Sequence, residues 1–202
     1  MNIIRFGAVA FIGSLIVTIA LANQDKFYPA DAFGGDSKGN QEWIALYSKY
    51  LGALKEPSLF EQSKSSSSQS YRFLWLRSFH KPVVVRLDVG GDGIGRVAIK
   101  IGSGPGVSAA IVGPVEERIR RLTKQQTDSF LDQVNALGFW QLSPQEDPVA
   151  GPDGARWIVE GVKDGQYHVA HRWTPQNGAV RTLGLALAID LGHLKIPADE
   201  IY

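Results

Sequence analysis

Hairpins set apart by helices, without regular strand–helix–strand alternation, predict an α+β fold: a mainly antiparallel sheet of hairpins, two helices packed on one face, and an N-terminal amphipathic helix. Three stretches carry that expectation. Asp164-Gly165 separates two β-like arms, 155–163 and 166–173, and both residues tolerate the positive φ of a type I′ hairpin turn. Tyr71, Phe73, Trp75, Arg77 and Phe79 alternate with Arg72, Leu74, Leu76, Ser78 and His80, which is the period of a strand. Thr123 with Gln126 forms a capping box ahead of Phe130, Leu131, Val134 and Leu137, and Gly138 ends that helix.

Taken in order, Arg5 is a basic flank to the almost wholly apolar run Phe6–Leu21. Ala20-Leu21-Ala22 places small residues at −3 and −1 of a signal-peptidase site, so 1–22 reads as a signal peptide cleaved after Ala22, the alternative being an uncleaved signal anchor. Residues 23–40 are rich in Gly, Asp and Ala without periodicity, a mobile leader. Trp43, Leu46, Tyr47, Tyr50, Leu51 and Leu54 then recur at helical spacing over 41–55, with Asn40 as N-cap and Pro57 just beyond the end. Such a stripe is expected on the protein's own sheet, although a helix tethered by a flexible segment is also a candidate docking element. Ser63–Ser70 is that segment, a serine-rich linker. The organisation expected is therefore a signal segment (1–22), a leader with helix (23–62), a linker (63–70) and an α+β domain (71–202).

Within the domain, Lys81-Pro82 interrupts the β pattern, because proline cannot donate to a ladder. Val83–Val89 resumes it, and Gly90-Gly91-Asp92-Gly93 turns the chain into a partner strand over 96–101. Gly91-x-Gly93-x-Gly95 and Gly102-x-Gly104-x-Gly106 lack the spacing and the following helix of a phosphate loop and are read as turns. Val115–Leu122 resembles an edge strand. After the capped helix come an apolar anchor at Phe139-Trp140, a polar loop over 143–154, the Asp164-Gly165 hairpin, and a last helix marked by Val180, Leu183, Leu187 and Leu191, with short residues at Gly184, Ala186 and Ala188. The tail 196–202 is expected to be extended.

Composition narrows the function. The chain has 202 residues, 44% hydrophobic and 20% charged, enough for a packed core. Arg5 is the only charged residue in 1–22, so loss of that segment leaves the basic side chains equal in number to the 20 acidic ones. A neutral protein lacks the basic footprint of nucleic-acid binding. The absence of cysteine excludes disulfides, thiolate metal sites, a cysteine nucleophile and an N-terminal lipid-bearing cysteine.

The hairpin collects most of the candidate chemistry. With Asp164-Gly165 as the turn, Lys163 pairs with Gln166 and the register runs outward to Trp157 opposite Arg172. One face then holds Arg156, Ile158, Glu160, Val162, Tyr167, Val169, His171 and Trp173; the other holds Trp157, Val159, Gly161, His168, Ala170 and Arg172. His168 and His171 point to opposite faces and cannot share an ion, and a third ligand such as His80 would have to come from another strand. No metal or cofactor is expected. Glu160 and His171, diagonal on one face, are the only catalytic candidates, and no motif places a hydroxyl nucleophile beside them. Trp157 and Arg172 are expected to stack as a cross-strand cation–π pair. Because a two-layer sheet has limited room for Tyr71, Phe73, Trp75, Phe79, Trp157, Tyr167 and Trp173 together, some should face outward beside arginines, as at protein interfaces. The expectation is thus an exported, non-enzymatic protein of the cell envelope that binds another exported protein through Arg156, Trp173, Trp157 and Arg172. Membrane contact would come only through residues 6–22 if they remain uncleaved. The alternatives are an envelope hydrolase using Glu160 and His171, and carbohydrate or small-ligand binding through exposed aromatics.

Overall fold

The computed structural model describes residues 27–34, 37–65, 67, 69–104, 116–145, 151 and 153–202. The signal segment 1–22 and Gly106 of the second glycine cluster lie outside the described residues. Six strands form one antiparallel sheet: β1 (Gln69–Arg77), β2 (Val83–Val89), β3 (Gly95–Ile101), β4 (Glu116–Arg121), β5 (Ala155–Lys163) and β6 (Gln166–Trp173), in the spatial order β4-β3-β2-β1-β5-β6. The first four strands run as a meander away from β1, and the chain then returns to place β5 and β6 on the other side of β1. The β5–β6 register is the one the turn residues dictate, from Lys163↔Gln166 to Arg156↔Trp173. Asp164 and Gly165 take φ of 51° and 79°, the paired positive values of a type I′ turn.

Helices lie on both faces. On the first, Tyr71, Phe73, Trp75, Val85, Val97, Ile99 and Trp157 pack under α3 (Lys124–Ala136), a 3₁₀ turn (Phe139–Gln141) and α4 (Ala179–Leu185), which continues as a π-helical turn through Leu191. The Thr123–Gln126 capping box is formed in both directions, and Gly138 adopts the left-handed φ of 61° that stops α3. On the second face, Leu74, Leu76, Val84, Ile158 and Val169 are covered by α1 (Ser37–Ala53) through Ile44, Tyr47, Tyr50, Leu51 and Leu54, and by the preceding turn through Tyr28 and Phe33. A short helix, α2 (Leu59–Ser63), is capped by Ser58 and leads towards β1.

Two expectations change here. The stretch 27–34, read as mobile leader, is folded onto the sheet, with Tyr28 and Phe33 fully buried. The strand aromatics are accommodated on the first face, where the last helix presents Gly184, Ala186 and Ala188 to their rings. Tyr71, Phe73, Trp75 and Trp157 are all core residues, and Phe79, in the β1–β2 turn, is the large apolar side chain left 64% exposed. The tail 196–202 contains a 3₁₀ turn at Ala198–Glu200 instead of being wholly extended. It closes over the indoles, with Trp157 Nε1 donating to the Tyr202 backbone oxygen at 2.8 Å.

The short-residue face of the last helix has a packing cause. A Cβ placed on Gly184 would stand 2.9 Å from both Phe73 and Trp157, buried rings tilted by 40° with centroids 5.1 Å apart. A buried ring cannot yield to a new methyl group without moving its neighbours. Gly184→Val is therefore expected to cost about 2–3 kcal/mol through overpacking, measured as a lowered urea midpoint at unchanged m-value.

Candidate functional site

Glu160 is the centre of the second face. It lies directly opposite Arg72 in the β1–β5 ladder, and both side chains are completely buried. Arg72 approaches as a fork, Nε to Oε1 at 3.1 Å and Nη2 to Oε2 at 2.7 Å. The Tyr28 and Tyr167 hydroxyls donate to the same carboxylate at 3.1 and 3.0 Å. Both tyrosine pKa values are raised, first by burial and then by the Glu160 charge. Burial by itself would lower the Arg72 pKa, but the charges of Glu160, Tyr28 and Glu56 raise it on balance. Four donors therefore satisfy one carboxylate, leaving it neither open to solvent nor free to exchange a proton with a substrate.

The network extends along the sheet. Arg72 also lies opposite Arg86, a like-charge neighbour that destabilises a ladder unless a counter-charge intervenes. Glu56 supplies it. The end of α1 makes this possible: Lys55 takes a left-handed φ of 53° and the Glu56 N–H returns to the Leu51 carbonyl at 2.9 Å, which turns the Glu56 carboxylate into the sheet. Its Oε2 stands 2.6 Å from Arg86 Nη1 and 3.7 Å from Arg72 Nη1. Lys100 Nζ lies 3.0 Å from Oε1 as a charge contact, while its hydrogen bond goes to the Lys55 carbonyl at 2.7 Å.

His171, 5% exposed, has different partners. Its Nδ1 is 2.8 Å from the Tyr47 hydroxyl, and Phe33 and Trp43 pack against the ring. Burial, then the Arg156 and Arg172 charges, lowers its pKa to about 3, so the imidazole is neutral. Arg156 lies near enough to Tyr47 for each to shift the other's pKa. The Tyr47 pKa itself is raised, chiefly by burial.

The two catalytic candidates thus share a face, as the register requires, but the structure gives each its own closed set of partners: Arg72, Tyr28 and Tyr167 for Glu160, and Tyr47 for His171. Arg156 and Trp173 do meet. The Arg156 guanidinium stands 3.8 Å from the Trp43 ring centre and 4.7 Å from that of Trp173, half-buried at the margin of α1 and the hairpin. Trp157 lies in the opposite core, 4.7 Å from Trp75 between ring centres, with Arg181 over it at 5.3 Å. Arg172, opposite Trp157 in the ladder, instead directs both Nη groups to the Ser143 carbonyl at 3.1 Å. His80 is held at the tail by Tyr202 and Glu200, far from the hairpin histidines in the fold. No three metal-ligating side chains cluster among the described residues. Surface cavities of about 340 Å³ and 200 Å³, one lined by Gln125, Phe130 and Asp190 and the other by Arg172 and Asn177, include neither Glu160 nor His171.

Sequence reasoning missed Arg72, Tyr28, Glu56 and Tyr47 as partners of this site. Arg72 was the available signal: an arginine at an alternating position between apolar neighbours has to be paired if the face is buried.

No family model matches this chain, and a search of curated proteins finds no match either.

Two outcomes follow from the site. Arg72→Met leaves a buried carboxylate without its fork and is expected to cost about 3–5 kcal/mol, while the double variant Arg72→Met/Glu160→Gln costs clearly less. A double-mutant cycle in urea measures both. For His171, the depressed native pKa means that the unfolded chain takes up a proton below about pH 6.5 that the native state refuses until about pH 3. Its neutral-form stability is complete above that upper value and declines as pH falls through the window, by up to about 1.4 kcal/mol per pH unit. His171→Gln should flatten the pH dependence of the unfolding free energy between about pH 6 and about pH 4.

Proposed function

We propose that the protein is an exported, non-enzymatic module of the cell envelope that binds another exported protein at the rim where Trp43, Arg156 and Trp173 meet. One observation carries this reading: the Arg156 guanidinium stands over two indoles, and all three side chains are half-buried. Arginine and tryptophan prepositioned in this way lose little side-chain freedom on contact, which is why they dominate interface energetics. The burial of Glu160 and His171, the carboxylate held by Arg72, Tyr28 and Tyr167 and the imidazole Nδ1 by Tyr47, supports binding over hydrolysis. Sugar stacking uses open indole faces, and Arg156 occupies one face of each indole here, so carbohydrate binding ranks below a protein contact.

In this reading residues 1–22 are the export signal, and residues 6–22 provide the membrane contact if the signal is not cleaved. No helix among the described residues is long and apolar enough to cross a membrane. The balanced charge of the remaining chain supports a protein partner over nucleic acid.

The test is immunoprecipitation of the full chain from the envelope of expressing cells, wild type beside Arg156→Ala/Trp173→Ala. A partner recovered with wild type and lost with the double variant is expected, the thermal midpoint of the variant staying within a few degrees because the rim is only half-buried. Recovery of the same partners by both proteins removes this rim as the contact.

A further inference from the structure

The two edges of the sheet are treated differently. At β6 the chain protects its own edge: Gln145 bridges to His171, the His171 N–H donates to the Pro144 carbonyl at 2.9 Å, and Arg172 holds Ser143. At β4 no described residue pairs with the outer edge, and the strand is exposed along nearly its whole length. An open edge is a template for another strand.

The β4 sequence is Glu116-Glu117-Arg118-Ile119-Arg120-Arg121. The Leu122 N–H donates inward to the Gly95 carbonyl at 2.8 Å. By the alternation of an antiparallel ladder, the backbone groups of Arg120, Arg118 and Glu116 also point to β3, and those of Glu117, Ile119 and Arg121 point outward. The same three residues share a sheet face with Arg96, Ala98 and Lys100. That face is under-compensated at its edge. Arg96 and Arg121 lie directly opposite one another, and neither they nor Glu117 form an ion pair with a described residue. Asp88, opposite Arg96 on its other side, is taken by Arg86 and Ser70. Ile119 is 54% exposed, beside a hollow of about 360 Å³ lined by Asp92, Ile94, Arg96 and Arg121.

We propose that β4 pairs antiparallel with β4 of a second copy of this chain, about a twofold axis passing between the two Ile119 residues. A twofold normal to the sheet keeps equivalent faces on the same side, so only residues of one face meet. Centred on Ile119, this register sets Glu117 against Arg121 of the second copy, Ile119 against Ile119, and Arg121 against Glu117. Every outward backbone group of Glu117, Ile119 and Arg121 finds a partner in it. The exposed isoleucines cover each other, and each Arg96–Arg121 pair receives the carboxylate it lacks. On the opposite face Arg118 meets Arg120 of the second copy. Arg120 is drawn back to the Leu191 carbonyl at 2.8 Å and Arg118 carries Glu116 at 3.4 Å, which moderates that contact. A one-residue shift would set each outward-pointing residue against one whose backbone groups are already spent on β3, and a two-residue shift breaks both Glu117–Arg121 pairs. Self-pairing is thus specified by charge order as well as by an edge that no described residue pairs.

The absence of native cysteine makes the register directly testable in the full chain. Residues facing each other in a hydrogen-bonded antiparallel pair have Cα atoms about 5.5 Å apart, within the span of a disulfide or a short thiol-to-thiol crosslinker. Cells expressing Ile119→Cys are treated with a mild oxidant or such a crosslinker, and the product is read on a non-reducing gel. A species of twice the chain mass is expected from Ile119→Cys and little from Arg118→Cys. Adding Arg121→Glu to Ile119→Cys should lower the crosslinked fraction roughly tenfold or more, since it turns two attractive pairs into two repulsive ones. The further change Glu117→Arg should restore it. No dimer, equal crosslinking from positions 118 and 119, indifference to Arg121→Glu, or capture of a different acidic chain by Ile119→Cys would each overturn the proposal.

Discussion

The Arg72–Glu160 pair is the constraint on which the second half of the structure depends. An arginine and a glutamate buried in the middle of a sheet face cannot be left under an apolar cover, because their remaining donors and lone pairs would be unsatisfied. The covering layer therefore has to bring polar groups to fixed points. Tyr28 comes from the turn before α1, the Pro57 carbonyl and the Glu56 carboxylate from the turn after it, and Tyr167 from β6. The left-handed Lys55 that ends α1 follows from the same requirement, since it is the step that turns Glu56 inward.

Around that polar centre the layer is otherwise apolar, and the two kinds of contact divide the work. Tyr47, Leu51 and Leu54 against Leu74, Leu76 and Ile158 supply non-directional burial. The ion pairs and phenol hydrogen bonds fix one placement of α1 among the many that would bury a similar area. On the other face the ion pair lies at the end of β1, where Arg77 meets Glu200 of the tail at 3.3 Å. Across that face the aromatic stack of Phe73, Trp75 and Trp157 sets the geometry by shape, and Gly184, Ala186 and Ala188 conform to it.

Function follows from which groups remain unspent. Glu160 and His171 carry the chemistry that a reader of the sequence notices first, yet each is consumed by internal partners. The groups we propose for recognition lie at margins: the Trp43–Arg156–Trp173 rim on one side of the sheet, and Glu117, Ile119 and Arg121 on β4, whose outer edge no described residue pairs, on the other. They are separated in the strand order, at β5–β6 and at β4, so the two proposed contacts use different parts of the sheet.

The local code was strong enough to determine the local structure. Asp164-Gly165 set the hairpin and its register residue by residue, the Thr123–Gln126 box set the start of α3, Gly138 its end, and the alternation in 71–77 the central strand. These depend on backbone conformations and periods that neighbouring residues decide among themselves. What the sequence did not disclose was the partner of each side chain across the fold. Tyr28 and Glu160 are separated by 132 positions, and Arg72 and Glu160 by 88, and no periodicity connects them. The face of the hairpin holding Arg156, Glu160, His171 and Trp173 was correctly assembled from the register, but whether it was a surface or an interior depended on a turn and a helix arriving from the other end of the chain. Burial is a property of three-dimensional neighbours, so only the tertiary structure could decide that Glu160 and His171 are core residues and that Arg156 and Trp173 are not.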